Sequence, residues 1–186
     1  MRRIILASQS PRRKQLLQWA EIPFDVLVKD TDESYPAGLA PADVAIHIAK
    51  NKGLEVKSSQ GDSVPILSAD TIVVLNNEII GKPSHREDAM RILTKLSGKK
   101  HRVITGVCIL FNTKEIIFAD TTEVEFHPLN SEQIAFYVDN YKPYDKAGAY
   151  AIQEWIGVVG IKSIQGDFYN VMGLPVSRVV KELNML

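Results

Sequence analysis

Two adjacent arginines stand at the start of a predicted helix, in residues 8–13, which read SQSPRR. Ser10 is suited to the N-cap and Pro11 to the first helical position. A helix N-terminus carries a partial positive charge and free N–H groups, so two guanidinium groups are unfavourable there. An anion held by Ser8, the N–H groups, Arg12 and Arg13 would remove this conflict. The segment therefore predicts a phosphate site, with two solvated surface arginines as the open alternative.

A single acid, Asp70, lies between two apolar runs at residues 64–67 and 71–75, which predict two short strands. A carboxylate at a strand end is a suitable ligand for Mg²⁺ or Mn²⁺, or a base that activates water, when phosphate oxygens complete the metal shell. A turn-capping aspartate is the structural alternative.

Two further polar side chains, Lys52 and Gln153, are candidates for ligand binding because of their positions in the sequence. Lys52 follows Ile48 by four residues, which places it near the apolar side of its predicted helix, where it either binds a ligand or extends its ammonium to solvent. Gln153 ends a stretch of small residues and offers an amide that matches the imide edge of a pyrimidine. A local ion pair of Asp145 and Lys146 with an exposed Gln153 is the alternative reading.

The elements that must position these residues alternate between strand and helix, which predicts an α/β fold with a mixed sheet. Ser84 and Glu87 have the spacing of a capping box. The remaining expectations are helices over 11–20, 41–57, 84–97, 131–140 and 175–186, a linker over 58–63, a hairpin of strands 102–111 and 116–126 around a loop at 112–115, and strands within 156–164.

The amino-acid composition indicates the number of domains and excludes several classes of partner. The 186 residues are 45% apolar and predict one domain over 1–186, and 22 basic residues balance 22 acidic ones, which argues against a nucleic-acid partner. Cys108 is alone and lies in an apolar run, so it is expected to be an inert core residue. The four histidines lack metal-site spacing. No leader or membrane-spanning run is visible, so a cytoplasmic protein without membrane contact is expected.

A series of short motifs runs through the chain in a fixed order. They are SQSPRR at 8–13, ADT at 69–71, GKP at 81–83, LSGKKH at 96–101, TGV at 105–107, DKAGAY at 145–150, IQ at 152–153 and NVMGLP at 170–175. On these motifs the whole chain resembles the Maf family.

The resemblance implies a fold like that of the inosine triphosphate pyrophosphatases: a curved mixed β-sheet flanked by helices, two lobes with a nucleotide cleft, and a homodimer. It also implies hydrolysis of dTTP and UTP to the monophosphate and pyrophosphate with Mg²⁺ or Mn²⁺. By position, Asp70 matches the proton acceptor. Arg12, Thr71 and Gln153 match substrate-specificity positions. Ser8, Arg13, Lys52 and Lys82 match phosphate contacts. Glu33 matches a metal contact, together with Asp70.

Two other functions are compatible with a phosphate site. A non-catalytic nucleotide sensor that regulates cell division or septum formation would need the cationic residues but not Asp70. A phosphatase would release orthophosphate from the γ position. The products separate the three hypotheses, because only the pyrophosphatase releases pyrophosphate.

Overall fold

The computed structural model describes residues 2–61 and 63–186. Its strands are β1 (Ile4–Leu6), β2 (Phe24–Val26), β3 (Ile66–Leu75), β4 (Glu78–Ile80), β5 (Lys100–Phe111), β6 (Lys114–Phe126) and β7 (Ile161–Gln165). Its α-helices are α1 (Pro11–Trp19), α2 (Pro41–Gln60), α3 (Arg86–Leu96), α4 (Ser131–Tyr141), α5 (Trp155–Gly160), α6 (Phe168–Met172) and α7 (Val176–Leu183), with a short 3-10 helix at Ala147–Ala149.

The strands form one sheet in the order β2-β1-β3-β5-β6-β7, and β4 pairs with β3. Strand β1 is parallel to both β2 and β3, whereas β3 with β4 and β6 with β7 are antiparallel. Helix α1 makes the crossover between β1 and β2 that parallel strands require. The predicted mixed α/β class is therefore confirmed.

The chain divides into two compact units. The first unit comprises Met1–Thr71, Thr105–Asp120 and Gly173–Leu186, and the second comprises Ile72–Ile104 and Thr121–Met172. Strands β3, β5 and β6 contribute residues to both units. The prediction of one domain over 1–186 stays a prediction.

The core of the first unit lies between α2 and the sheet. Ala49 and Val56 of α2 pack with Ile66 of β3 and Leu110 of β5 in one buried cluster. Cys108 belongs to this cluster, and burial raises the pKa of its thiol to about 12. A thiol that stays protonated is a poor nucleophile, which agrees with the expected inert core residue.

The core of the second unit contains an aromatic group that the sequence did not reveal. His101 makes edge-to-face contacts with the rings of Phe126 and Tyr150, and its Nε2 lies 2.7 Å from the Tyr150 hydroxyl oxygen. Burial lowers the pKa of His101 to about 4, against a smaller opposite effect of the Lys99 backbone. His101 is thus a neutral core residue at physiological pH.

Two expected boundaries in the first half of the chain are wrong. The two strands predicted around Asp70 are one continuous strand, β3, because the Asp70 carboxylate finds a cationic partner and does not interrupt the strand. The linker predicted over 58–63 begins too early, since α2 continues to Gln60. Residue 62 of that predicted linker lies outside the described residues.

Expectations in the second half also needed correction. The N-cap of the helix predicted from Ser84 lies one position later, at His85, whose Nδ1 accepts a hydrogen bond from the Asp88 amide, and the helix begins at Arg86. The apolar residues after Trp155 form α5, since a short apolar run does not distinguish a buried helix from a strand. Helix α6 was missed, and the hairpin turn has two residues instead of four.

Gly106 of β5 lies against the first turns of α2, and a side chain there has no space. An added Cβ would lie 2.5 Å from the Ala45 carbonyl oxygen and would also overlap the Ile46 amide nitrogen. Since backbone cannot rotate away as a side chain does, we expect Gly106→Ala to lower the free energy of unfolding by roughly 1–3 kcal/mol in urea titrations.

Gly81→Ala is the matched control for this prediction. A Cβ at Gly81 meets nothing within 4 Å, so this variant is expected to unfold at the wild-type urea concentration. Equal unfolding midpoints for Gly106→Ala and Gly81→Ala would contradict the close approach of β5 and α2.

Among the described residues, no helix combines the length and apolar character that crossing a bilayer requires.

Candidate active site

Arg13 is the centre of a buried polar cluster in the first unit. It lies in the first turn of α1, whose N-cap Ser10 accepts a hydrogen bond from the Arg13 amide. Its Nε donates to the Gly173 carbonyl at 2.8 Å, and its two terminal nitrogens donate to the Ser8 and Thr71 hydroxyls at 3.1 Å and 3.0 Å. The guanidinium is therefore fixed in position and does not sample solvent as a surface arginine would.

The Thr71 hydroxyl extends the cluster to a residue that the sequence analysis did not assign. The Thr71 Oγ1 lies 3.0 Å from the Thr105 Oγ1 and 3.4 Å from the Gly173 carbonyl oxygen. Thr105 lies in the TGV motif, but a motif does not show which side chain its hydroxyl meets. Gly173 has a φ of +117°, and that backbone conformation presents its carbonyl to Arg13.

A second group of charges surrounds Lys52 of α2. Its Nζ lies 2.8 Å from an Asp70 carboxylate oxygen and 2.7 Å from a Glu33 carboxylate oxygen. The side chains of Lys52 and Asp70 are only 19% and 14% exposed, whereas Glu33 is half exposed. The alternative of a lysine that extends to solvent is thus wrong, and Asp70 is neither a strand-end residue nor a turn cap.

The charges of the two groups influence each other. Burial lowers the pKa of the Arg13 guanidinium, the Asp70 and Glu33 carboxylates raise it, and the neighbouring Arg12 lowers it. Arg12, the preceding residue of α1, is only partly buried. The first unit thus brings together seven of the predicted site residues: Ser8, Arg12, Arg13, Glu33, Lys52, Asp70 and Thr71.

This arrangement suits an anion with several oxygens and a divalent cation. Lys52 and Arg13 interact with the partly buried Asp70 carboxylate, and Arg12 lies close enough to Arg13 to lower the pKa of its guanidinium. Asp70 and Glu33 supply carboxylate oxygens, the donors that Mg²⁺ prefers. In the described part of the chain, no group of three or more His, Cys, Asp or Glu residues could hold a metal ion. The residues fit Mg²⁺, which commonly takes one or two carboxylates and completes its shell with substrate phosphates and water.

The two remaining predicted residues, Lys82 and Gln153, belong to the second unit. Lys82 follows β4, and Gln153 precedes α5; both side chains are exposed. Their roles as phosphate contact and specificity residue stay predictions.

The local ion pair of Asp145 and Lys146 is present and Gln153 is exposed, as the alternative reading expected, but Lys146 has a further acidic neighbour. The Lys146 Nζ lies 2.7 Å from Asp145, but it is buried and lies 3.6 Å from a Glu154 carboxylate oxygen as well. Glu154 also accepts a hydrogen bond from the hydroxyl of buried Tyr137. Spacing along the chain gave no signal for Tyr137, because it lies 17 residues from its partner.

Fold and site together define a mixed α/β protein with a cation-rich cluster around one carboxylate. The family model of the Maf-like proteins matches residues 3–186, and the chain belongs to that family. A Cytophaga hutchinsonii protein named dTTP/UTP pyrophosphatase is 52% identical over 98% of this chain and 84% of its own length. A protein of the same name from Bacteroides thetaiotaomicron is 47% identical over 98% of this chain and 95% of its own. Among solved structures, the Staphylococcus aureus Ham1 protein aligns with 67% of this chain and 71% of its own at 14% identity and a TM-score of 0.46.

Proposed function

We propose that this chain is a nucleoside triphosphate pyrophosphatase that hydrolyses dTTP and UTP to the nucleoside monophosphate and pyrophosphate. Relatives of that name cover nearly the whole chain at 47–52% identity. The observation that carries the proposal is the Asp70 carboxylate, which is partly buried beside Lys52 and close enough to Arg13 to raise the pKa of that guanidinium. Phosphoryl transfer to water needs a base that accepts the proton of the water and cationic side chains that stabilise the charge on the phosphates.

In the reaction, water attacks the α phosphorus while the bond from that phosphorus to the bridging oxygen of the β phosphate breaks. Asp70 accepts a proton from the water, and the bridging oxygen leaves with pyrophosphate. Arg12 and Lys52 would offset charge that develops on the leaving group. Arg13 donates to the Ser8 and Thr71 hydroxyl oxygens and so holds both in place before the triphosphate binds.

Lys52 has a defined task at the start of this reaction. Without substrate its ammonium forms ion pairs with the Asp70 and Glu33 carboxylates. The triphosphate oxygens would draw the ammonium toward the phosphates and release Asp70 for the water. Asp70 and Glu33 would hold Mg²⁺ or Mn²⁺, which would supply positive charge against the phosphate oxygens.

An isotope experiment tests the reaction. The purified protein is incubated with UTP, dTTP, CTP or GTP and Mg²⁺ or Mn²⁺ in water enriched in ¹⁸O, and the products are resolved by ³¹P NMR and mass spectrometry. We expect pyrophosphate and a monophosphate that carries the ¹⁸O, with UTP and dTTP as the preferred substrates. Label in pyrophosphate would place the attack at the β phosphorus, and orthophosphate would identify a phosphatase.

The same panel tests the non-catalytic alternative. A sensor that regulates septum formation would bind nucleotide, measured by calorimetry, and release no product with any nucleotide or metal ion. We further propose a homodimer in the cytoplasm. Light scattering during gel filtration and cell fractionation test these two statements independently of activity.

A further inference from the structure

The segment that carries Gln153 is a tight turn in the second unit. The Glu154 amide donates to the Ala151 carbonyl at 3.1 Å, which closes a four-residue turn with Gln153 in its third position. Ala151 and Ile152 are buried, whereas Gln153 is exposed. The turn therefore exposes the Gln153 side chain directly after two buried residues.

One buried hydroxyl joins the first and last residues of this turn. The Ala151 amide donates to the Tyr137 hydroxyl oxygen at 3.1 Å, and the Tyr137 hydroxyl donates to a carboxylate oxygen of Glu154. Tyr137 is fully buried in α4, and its ring stacks on Tyr141 with 5.0 Å between the centroids. The hydroxyl thus accepts one hydrogen bond from the turn and donates another to it, and so connects the two ends of the turn.

Other contacts hold the two sides of the same turn. The other Glu154 carboxylate oxygen lies 3.6 Å from the buried Lys146 ammonium. Gly157 approaches the Ile152 carbonyl so closely that a Cβ would overlap that oxygen. A glutamine that is merely exposed to solvent does not need a turn held by so many buried contacts. A glutamine whose amide must be placed accurately does.

We propose that Tyr137 is a positioning residue for Gln153, and that its hydroxyl, acting through Ala151 and Glu154, sets the selectivity for uracil and thymine over cytosine. The proposal rests on the proposed function. A glutamine amide presents one donor and one acceptor, which match the N3–H of uracil or thymine and a neighbouring carbonyl, whereas cytosine lacks that N3–H. A small displacement of the amide loses this match, because hydrogen bonds weaken steeply with angle.

The test is Tyr137→Phe, which keeps the stacked ring and removes the hydroxyl. We expect the ratio of kcat/KM for UTP to that for CTP to fall by about fivefold or more, the lower end of what an unmatched hydrogen bond removes. The kcat for UTP should change by less than about threefold, since Asp70 and Arg13 are untouched. The matched control is Tyr141→Phe, which alters the exposed tyrosine of the same ring pair and should leave the ratio unchanged.

Two further variants separate positioning from a purely structural role. Glu154→Gln keeps an acceptor for the Tyr137 hydroxyl and should retain most of the selectivity, whereas Glu154→Ala should lose it. In a Gln153→Ala background, Tyr137→Phe should cause no further loss of selectivity, because the two substitutions act through the same side chain.

The outcomes distinguish this proposal from the proposed function. A wild-type protein that releases no pyrophosphate overturns the function before any variant is compared. If the wild type is active and Tyr137→Phe lowers only the melting temperature, the positioning role is wrong. An undiminished effect of Tyr137→Phe in the Gln153→Ala background would also overturn it.

Discussion

Asp70→Asn should reduce the kcat for UTP hydrolysis by at least ~10²-fold, the loss that follows removal of a general base. Asparagine has nearly the same shape, but its amide cannot accept the proton of the attacking water. Lys52 keeps its 2.7 Å ion pair with Glu33, so we expect the variant to fold and to bind nucleotide. Pyrophosphate release gives kcat, and calorimetry gives the dissociation constant for UTP.

Asp120→Asn is the matched control for this substitution. Asp120 lies on β6 in the same unit, is partly exposed, and pairs with an arginine, Arg178. Its replacement removes an ion pair of similar type outside the Arg13 and Lys52 groups, so kcat should stay at the wild-type value. Turnover of Asp70→Asn within about threefold of wild type would exclude Asp70 as the base.

Arg13→Lys should lower kcat/KM by roughly 10- to 150-fold, the equivalent of about 1.5–3 kcal/mol for charged hydrogen bonds. Lysine keeps the positive charge but cannot reproduce the planar fork that contacts Gly173, Ser8 and Thr71 together. Arg13→Ala should have at least the same effect and should also lower the melting temperature, because it leaves buried acceptors without their donor.

Arg12 and Arg178 provide the comparisons for Arg13. Arg12→Ala should weaken triphosphate binding by a similar factor with little change in melting temperature, since Arg12 is only partly buried. Arg178→Lys alters an exposed arginine that stacks on Phe118 and should leave kcat/KM unchanged. Wild-type kcat/KM for Arg13→Lys would show that a point charge suffices and that the fork has no role in catalysis.

Local sequence determined much of the architecture. Ser10 and Pro11 specify the start of α1, and the adjacent asparagines at 76 and 77 specify the turn between β3 and β4, where both have positive φ. These features depend on neighbours in the chain, and steric preferences of single residues decide them. The mixed α/β class follows from the alternation of such elements.

Boundaries that depend on distant partners were not predictable in the same way. Asp70 was expected to lie at a strand end because it separates two apolar runs, yet the Lys52 ammonium, 18 residues earlier in the chain, compensates its charge within β3. The helix α5 was read as strand because its apolar residues fit either element until burial on one side selects the helix.

For the site, the sequence by itself determined which residue types are present: two arginines at a helix start, one acid in an apolar run, and a lysine on an apolar helix face. Only the tertiary structure decided that Arg13 is fixed by Ser8, Thr71 and Gly173, the last of them 160 residues away in the chain. The hydrogen bonds of the Tyr137 hydroxyl to both ends of the Gln153 turn are likewise visible only in the tertiary structure. The physical reason is that propensity acts between chain neighbours, whereas the direction of a hydrogen bond between distant residues is set by how their elements pack.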